Sequence, residues 1–224
     1  MNILIFGASG CIGQEITQLA LQEGHYVTAF TRSVEKINHL RQNHLSFFQD
    51  DIMNADAVLK AIKSKDIVIN VIEGSHRLHK VRVQGTRHII NAMTVAGVNR
   101  LLCHTSFIPD KEHPFSTVKQ LIHKLSGARR KTNKMHHELE HIIGHSSLNW
   151  TIVRSPVISR QSATAGKFPA VPPERKTGQM TAARKTARFI LFQLQPGTHN
   201  SQKIISLQES PAATQETSDG MYAK

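Results

Sequence analysis

Near the start of the chain, Gly7-Ala8-Ser9-Gly10-Cys11-Ile12-Gly13 sets three glycines at intervals of three between an apolar run and a stretch of helical periodicity. That pattern suits phosphate chemistry. Gly7 permits a tight turn, Gly10 lets a diphosphate approach the backbone, and Gly13 lets the helix pack closely on the strand, with the amides of the helix N-terminus facing the phosphates. Gly7, Ser9, Gly10, Cys11, Ile12 and Gly13 are therefore the expected dinucleotide-binding residues. Further on, Ala29-Phe30-Thr31-Arg32-Ser33 has no acid to take a ribose 2′-hydroxyl and one arginine that suits a 2′-phosphate. NADP(H) is favoured over NAD(H) on that residue, the alternative being an Arg32 that stacks on adenine or points to solvent. Asp51 and the backbone of Ile52 are expected at the adenine edge, and Asn70, Val71 and Ile72 along the nicotinamide half.

The elements that must position these residues can be read from periodicity. Asn2 to Phe6 is a strand, the glycine turn follows, Ile16, Leu19 and Ala20 fall at helical spacing, Gly24 ends the helix, and Tyr26 to Phe30 is a second strand. The alternation continues with strands at Leu45 to Phe48, Asp66 to Ile72 and Leu101 to Thr105, and helices at Ala55 to Ile62 and Val81 to Ala96. Beyond them come a mostly helical Thr117 to Ile143 with a weak point at Gly127, a strand at Asn149 to Val153, a helix at Ala182 to Leu194 and a last strand at Lys203 to Leu207. Strand and helix taking turns predict an α/β class: one domain over residues 1–208, with a doubly wound, mostly parallel sheet and helices on both faces. Residues 106–118 and 155–180 are expected to form substrate-side loops, and 209–224 a flexible tail.

Two other motifs were weighed. His137-Glu138-Leu139-Glu140-His141 reads H-E-x-x-H, a zinc-hydrolase spelling, but the extended pattern wants His at 147 and finds Ser147. The strand–helix reading already needs that helix ahead of Trp150, and no metal is expected. Six positive residues and no acid lie between Lys119 and Lys134, yet the chain is only 5% aromatic and lacks the interleaved rings that stack bases. Nucleic acid is an unfavoured partner. A solvated basic face is the default, with an acidic protein surface or an anionic small-molecule acceptor as the alternatives.

The glycine loop, Arg32, Asp50-Asp51, Asp66-Ile67-Val68-Ile69, Gly85-Thr86, Thr105-Ser106 and Trp150-Thr151-Ile152-Val153-Arg154-Ser155-Pro156 together resemble the atypical short-chain dehydrogenase/reductases. Among these the chain is most similar to the NmrA-like proteins and the biliverdin-IX-beta (flavin) reductases. The resemblance implies a Rossmann fold, usually NADPH as cofactor, and a role ranging from reductase to cofactor-sensing regulator. It also places Ser106 at the family's serine, where it would orient the acceptor or the nicotinamide, and Lys134 where the wider superfamily's lysine falls, with Arg130 in place of the tyrosine.

Typical members of that superfamily use a Tyr-x-x-x-Lys pair to protonate a carbonyl oxygen. This chain has two tyrosines, Tyr26 with Phe30 four places on and Tyr222 too close to the C-terminus, so the pair is absent. Hydride transfer to a flavin-, quinone- or tetrapyrrole-like ring needs no strong local acid, and an NADPH-dependent reductase of such planar acceptors is the expected function. A non-catalytic NADP(H)-binding redox sensor acting on a protein partner is the alternative.

Composition sets the outer limits. The chain has 224 residues, 39% of them hydrophobic, and 28 Lys and Arg against 16 Asp and Glu for a net charge of +12. The excess is uneven, residues 113–188 carrying 14 basic and 3 acidic side chains. No apolar run approaches the roughly 18 residues of a membrane span, and Met1-Asn2 leads into the first strand without a basic leader, so a cytoplasmic location is expected. The two cysteines, Cys11 and Cys103, fit a reducing compartment.

Overall fold

The computed structural model describes residues 1–73, 79–107, 128–156, 182–195, 197–198 and 200–207. Strands β1 (Asn2–Phe6), β2 (Tyr26–Thr31), β3 (Leu45–Gln49), β4 (Ile67–Asn70), β5 (Arg100–Phe107), β6 (Asn149–Pro156) and β7 (Lys203–Ser206) form one sheet in the order β3-β2-β1-β4-β5-β6-β7. Every ladder is parallel. Helices α1 (Cys11–Gln22), α2 (Ala55–Ile62), α3 (His79–Ala96), α4 (Ala128–Gly144) and α5 (Ala182–Phe192) fill the connections.

The central strands read as unbroken apolar runs because both of their faces are buried. In β1, Ile3 and Ile5 pack with Ile12 and Ile16 of α1 and Ile190 and Leu191 of α5. Leu4 and Phe6 point the other way, into a second cluster with Val58 and Ile62 of α2, Ile89 and Met93 of α3, and Ile143 of α4. The sheet is thus doubly wound, as its alternating pattern predicts. The order in which strands are added reverses between β1 and β4, and in such sheets the crevice at the carboxyl ends of the strands flanking the reversal is the natural ligand site.

Expected and observed boundaries differ by a few residues at strand ends. β4 stops at Asn70 rather than Ile72 because the Asn70 side chain bends the chain: its Oδ1 accepts the Ile72 N–H at 3.3 Å. β5 and β6 run longer than expected, to Phe107 and Pro156, pairing Ser106 with Ser155. Of the expected helix over Thr117 to Ile143, the described part is α4, Ala128–Gly144, and the rest lies outside the described residues. The expected tail and most of the two expected substrate-side loops lie outside the described residues.

α4 is fixed to the sheet by a charged contact rather than by apolar packing alone. Glu140, 7% exposed, accepts from Arg154 Nε at 2.7 Å through Oε1, from Arg154 Nη2 through Oε2, and from Thr105 Oγ1 at 2.9 Å. A carboxylate this buried is tolerated because its lone pairs are taken. Arg154→Met removes the partner and keeps the charge, so unfolding in urea should show a loss on the order of 3 kcal/mol at neutral pH. Arg154→Met with Glu140→Leu should recover most of that loss, since the unpaired carboxylate is then gone.

Candidate functional site

The glycine turn is built by steric necessity. Gly7 has a φ of 85°, and a Cβ on it would stand 2.7 Å from the Val71 carbonyl carbon and 2.8 Å from the Ile72 nitrogen, so no side chain fits between the end of β1 and the end of β4. A Cβ on Gly13 would stand 2.2 Å from the Gly7 oxygen, which is how tightly α1 is seated on the turn. Gly10, extended at the N-cap of α1, donates its N–H to Gly7 O at 2.9 Å and brings no side chain to cap the helix. Ser9 and Cys11 flank it half-buried, Ser9 O accepting from Gln14 Nε2 at 3.1 Å, while Ile12 is fully buried. The result is a bare helix N-terminus beside buried Val71 and half-buried Ile72 at the crevice between β1 and β4. A cradle that a Cβ would fill, with uncapped amides at its base, fits a dinucleotide diphosphate.

The residues expected at the adenosine end are also brought together. Arg32 Nη1 lies 3.5 Å from Asp51 Oδ2, with the arginine side chain 65% exposed. Asp51 Oδ1 accepts the Met53 N–H at 2.9 Å, which fixes the carboxylate. Ile52 is buried beneath Gly85 of α3, where a Cβ would meet its side chain at 2.7 Å, and its carbonyl oxygen bonds His88 Nδ1 at 2.9 Å. An exposed ion pair such as Arg32–Asp51 contributes at most about 1 kcal/mol and opens readily for a stronger anion.

At the opposite end of the crevice, Ser106 is half-buried at the rim of β5 and its N–H donates to His136 Nδ1 at 3.3 Å. Lys134 lies two places earlier in α4, but its side chain is outside the described residues, so the expected Ser106–Lys134 grouping is untested. The H-E-x-x-H residues are otherwise engaged. Glu138 Oε2 meets His79 Nε2 at 2.7 Å, the His141 ring stacks on His145 at 4.0 Å, and among the described residues no three potential metal ligands converge.

What sequence reasoning missed is a row of polar groups around Ser106. His104, 2% exposed in β5, has Nε2 at 2.8 Å from Ser155 Oγ of β6 and Nδ1 at 3.3 Å from Glu73 Oε1 just beyond β4. Arg82 of α3, His136 and Glu140 of α4 and Thr105 are buried alongside. The only sequence signal was Cys103-His104-Thr105-Ser106, a polar stretch at the end of an apolar strand. Burial pushes the Cys103 thiol up to about 12. His136 is pushed down to about 3, first by burial and then by the positive charge of Arg82, so its ring is neutral and Nδ1 is free to accept from Ser106.

Comparison with known proteins agrees with this geometry. A family model described as NAD(P)H-binding matches residues 7–196. The isoflavone reductase homolog A622 of Nicotiana glauca is 29% identical over 120 residues, covering 50% of this chain and 37% of that protein. Matches to two other curated relatives span only 32% and 12% of those proteins. Among solved structures, ChuY, an anaerobillin reductase from Escherichia coli O157:H7, superposes with a TM-score of 0.63 at 20% identity over 94% of this chain and all of ChuY. A short-chain dehydrogenase/reductase from Veillonella parvula in complex with NADP gives 0.65 at 15% identity over 93% and 94% of the two chains. Likeness at this level of identity establishes the fold, a Rossmann-type sheet.

The buried neutral His136 gives stability a pH dependence of definite sign. Its folded pKa of about 3 lies below the ordinary 6.5, so between those values the unfolded chain binds the extra proton and stability falls as pH falls. Unfolding followed by circular dichroism should show His136→Gln to be less sensitive than wild type in that window, the difference approaching about 1.4 kcal/mol per pH unit at its steepest.

Proposed function

The chain belongs to the NAD(P)H-binding family, and from that premise we propose that it is an NADPH-dependent oxidoreductase passing hydride to a planar conjugated acceptor without a Tyr–Lys proton relay. The observation that carries the reading is the side-chain-free cradle between Gly7, Gly13 and Val71-Ile72 at the point where strand order reverses. Bound NADPH supplies the hydride. The first-turn amides of α1 hold the diphosphate, Arg32 turns from Asp51 to a 2′-phosphate, and Ile72 walls the nicotinamide half. Ser106 orients the acceptor or the nicotinamide amide by a hydrogen bond, and Lys134 adds positive charge from α4. The absence of Tyr-x-x-x-Lys supports an acceptor that delocalises the incoming electron pair. ChuY, an anaerobillin reductase, and A622, a homolog of isoflavone reductase, support the same class of chemistry. The basic excess of residues 113–188 supports an anionic acceptor or an acidic protein partner.

Calorimetry with NADPH and NADH, followed by NADPH oxidation assays with FMN, menadione and biliverdin, tests the proposal. Tighter binding of NADPH than NADH, with turnover of at least one acceptor, is the expected result; binding without turnover of any would favour a redox sensor. Arg32→Glu should weaken NADPH binding by about tenfold or more while leaving NADH nearly unchanged, because only NADPH carries the phosphate. Thiol labelling gives an independent readout. Half-buried Cys11 should react with iodoacetamide and be protected by NADPH, while Cys103, buried and with a thiol pKa of about 12, should stay unlabelled in the folded protein.

A further inference from the structure

We propose that Glu73, His104 and Ser155 form a proton relay that delivers the acceptor's proton at the carboxyl ends of β4, β5 and β6, in place of the missing tyrosine. This rests on the reductase reading above and deepens it by naming the acid.

The geometry sets a hydroxyl and a carboxylate near the two nitrogens of one imidazole. Ser155 Oγ is 2.8 Å from His104 Nε2, and Glu73 Oε1 is 3.3 Å from His104 Nδ1. The imidazole is 1% exposed, yet Nδ1 has no aligned hydrogen-bond partner among the described residues, only the nearby carboxylate. A buried ring nitrogen left so is costly as a purely structural feature, whereas a ring that must exchange a proton needs a nitrogen not locked in one state. Register places the group. Ser155 sits directly opposite Ser106 in the β5–β6 ladder and His104 two residues before Ser106, so all three share a face beside the candidate orienting serine. Glu73, whose side chain is 29% exposed, connects the row to solvent.

In the relay, Ser155 Oγ–H gives its proton to the acceptor heteroatom that has gained electron density from the hydride. The Nε2 proton of His104 passes to Ser155 Oγ while the open Nδ1 takes a proton from water on the Glu73 side. This leaves His104 with Nδ1–H against the Glu73 carboxylate, and the ring is reset when water in the vacated crevice returns a proton to Nε2 through Ser155 and the Nδ1 proton leaves on the Glu73 side. One hydride and one proton enter the acceptor and one proton is drawn from solvent, so charge and electrons balance. The other charged or titratable groups around the ring are Arg82 on α3, which interacts with Glu73, neutral His136 on α4, and the Glu140–Arg154 pair between α4 and β6.

The test joins turnover to a measurement on the cofactor-free chain. In nuclear magnetic resonance of the ring nitrogens, the His104 proton should be shared between Nε2 and Nδ1, and Glu73→Gln should move that balance toward Nε2 by removing the carboxylate that draws the proton to Nδ1. A His104 with its proton fixed on one nitrogen, or one indifferent to Glu73→Gln, overturns the relay. With menadione, Ser155→Ala and His104→Gln should each lower kcat by about a hundredfold, leave NADPH affinity unchanged, and abolish the solvent deuterium isotope effect. Glutamine can keep the hydrogen bond to Ser155 but cannot shuttle a proton, so full activity in His104→Gln would reduce the row to structure. A wild type that turns over while these variants match it overturns the relay alone; a wild type that reduces no acceptor overturns the reductase reading and the relay together. Labelling of Ser155 by a fluorophosphonate would mark it as an acyl-transfer nucleophile and would also overturn the relay.

Discussion

The approach of Gly7 to the end of β4 is the constraint on which the rest of the site depends. With 2.7 Å between a would-be Cβ and the Val71 carbonyl, the two strand ends can meet only where a residue has no side chain. That contact closes the base of the crevice. It also sets the entry angle of α1, because Gly13 must in turn clear the Gly7 oxygen. A larger residue at either position would lift the helix off the sheet and turn its amides away from any bound diphosphate. The same residues that make room for a phosphate therefore hold the first βαβ unit together, so cofactor site and fold cannot be altered separately here.

Polar groups at the far end of the crevice follow a different logic. Glu140 with Arg154 and Thr105 lies on the face covered by α4, where saturation of the carboxylate by three donors makes it a fixed clamp. His104 and Ser155 lie on the opposite face of the same two strands, with one imidazole nitrogen left without an aligned partner among the described residues. Both sets use neighbouring residues: Thr105 and Arg154 point to one side, His104 and Ser155 to the other, as alternation along a strand requires. One side is saturated and the other is not. That asymmetry separates a group whose task is to stay put from a group able to exchange protons.

The legible part of this protein was local. A glycine turn between two strands declares itself within thirty residues, and the faces of β1 follow from apolar identity alone, because strand period and helix period are short-range rules. Arg32 and Asp51 could be assigned to the same end of the crevice in advance because both fall just past adjacent strands of a parallel sheet, although their mutual contact was not foreseen. His104, Ser155 and Glu73 could not. They come from three strand ends, with 31 residues between the carboxylate and the imidazole and 51 between the imidazole and the hydroxyl. No spacing rule joins them, since only the ladder register brings them within reach. The β4 boundary was missed for a related reason: Asn70 ends the strand by bonding its own neighbour's amide, a side-chain event that an apolar run conceals.

A proton donor carried on strands differs physically from one carried on a helix. In a Tyr-x-x-x-Lys arrangement both groups share one helix, and moving that helix moves acid and activator together. Here β4, β5 and β6 are adjacent members of a continuous parallel ladder, and the separation of His104 from Ser155 is set by the backbone register of β5 on β6, with Glu73 just past the end of β4. Such a row cannot be retuned by sliding α4, whose own anchor, Glu140, grips the opposite face. The row therefore stays in the part of the molecule least able to move, while the cradle at the glycine turn is fixed separately by the approach of Gly7 to the end of β4.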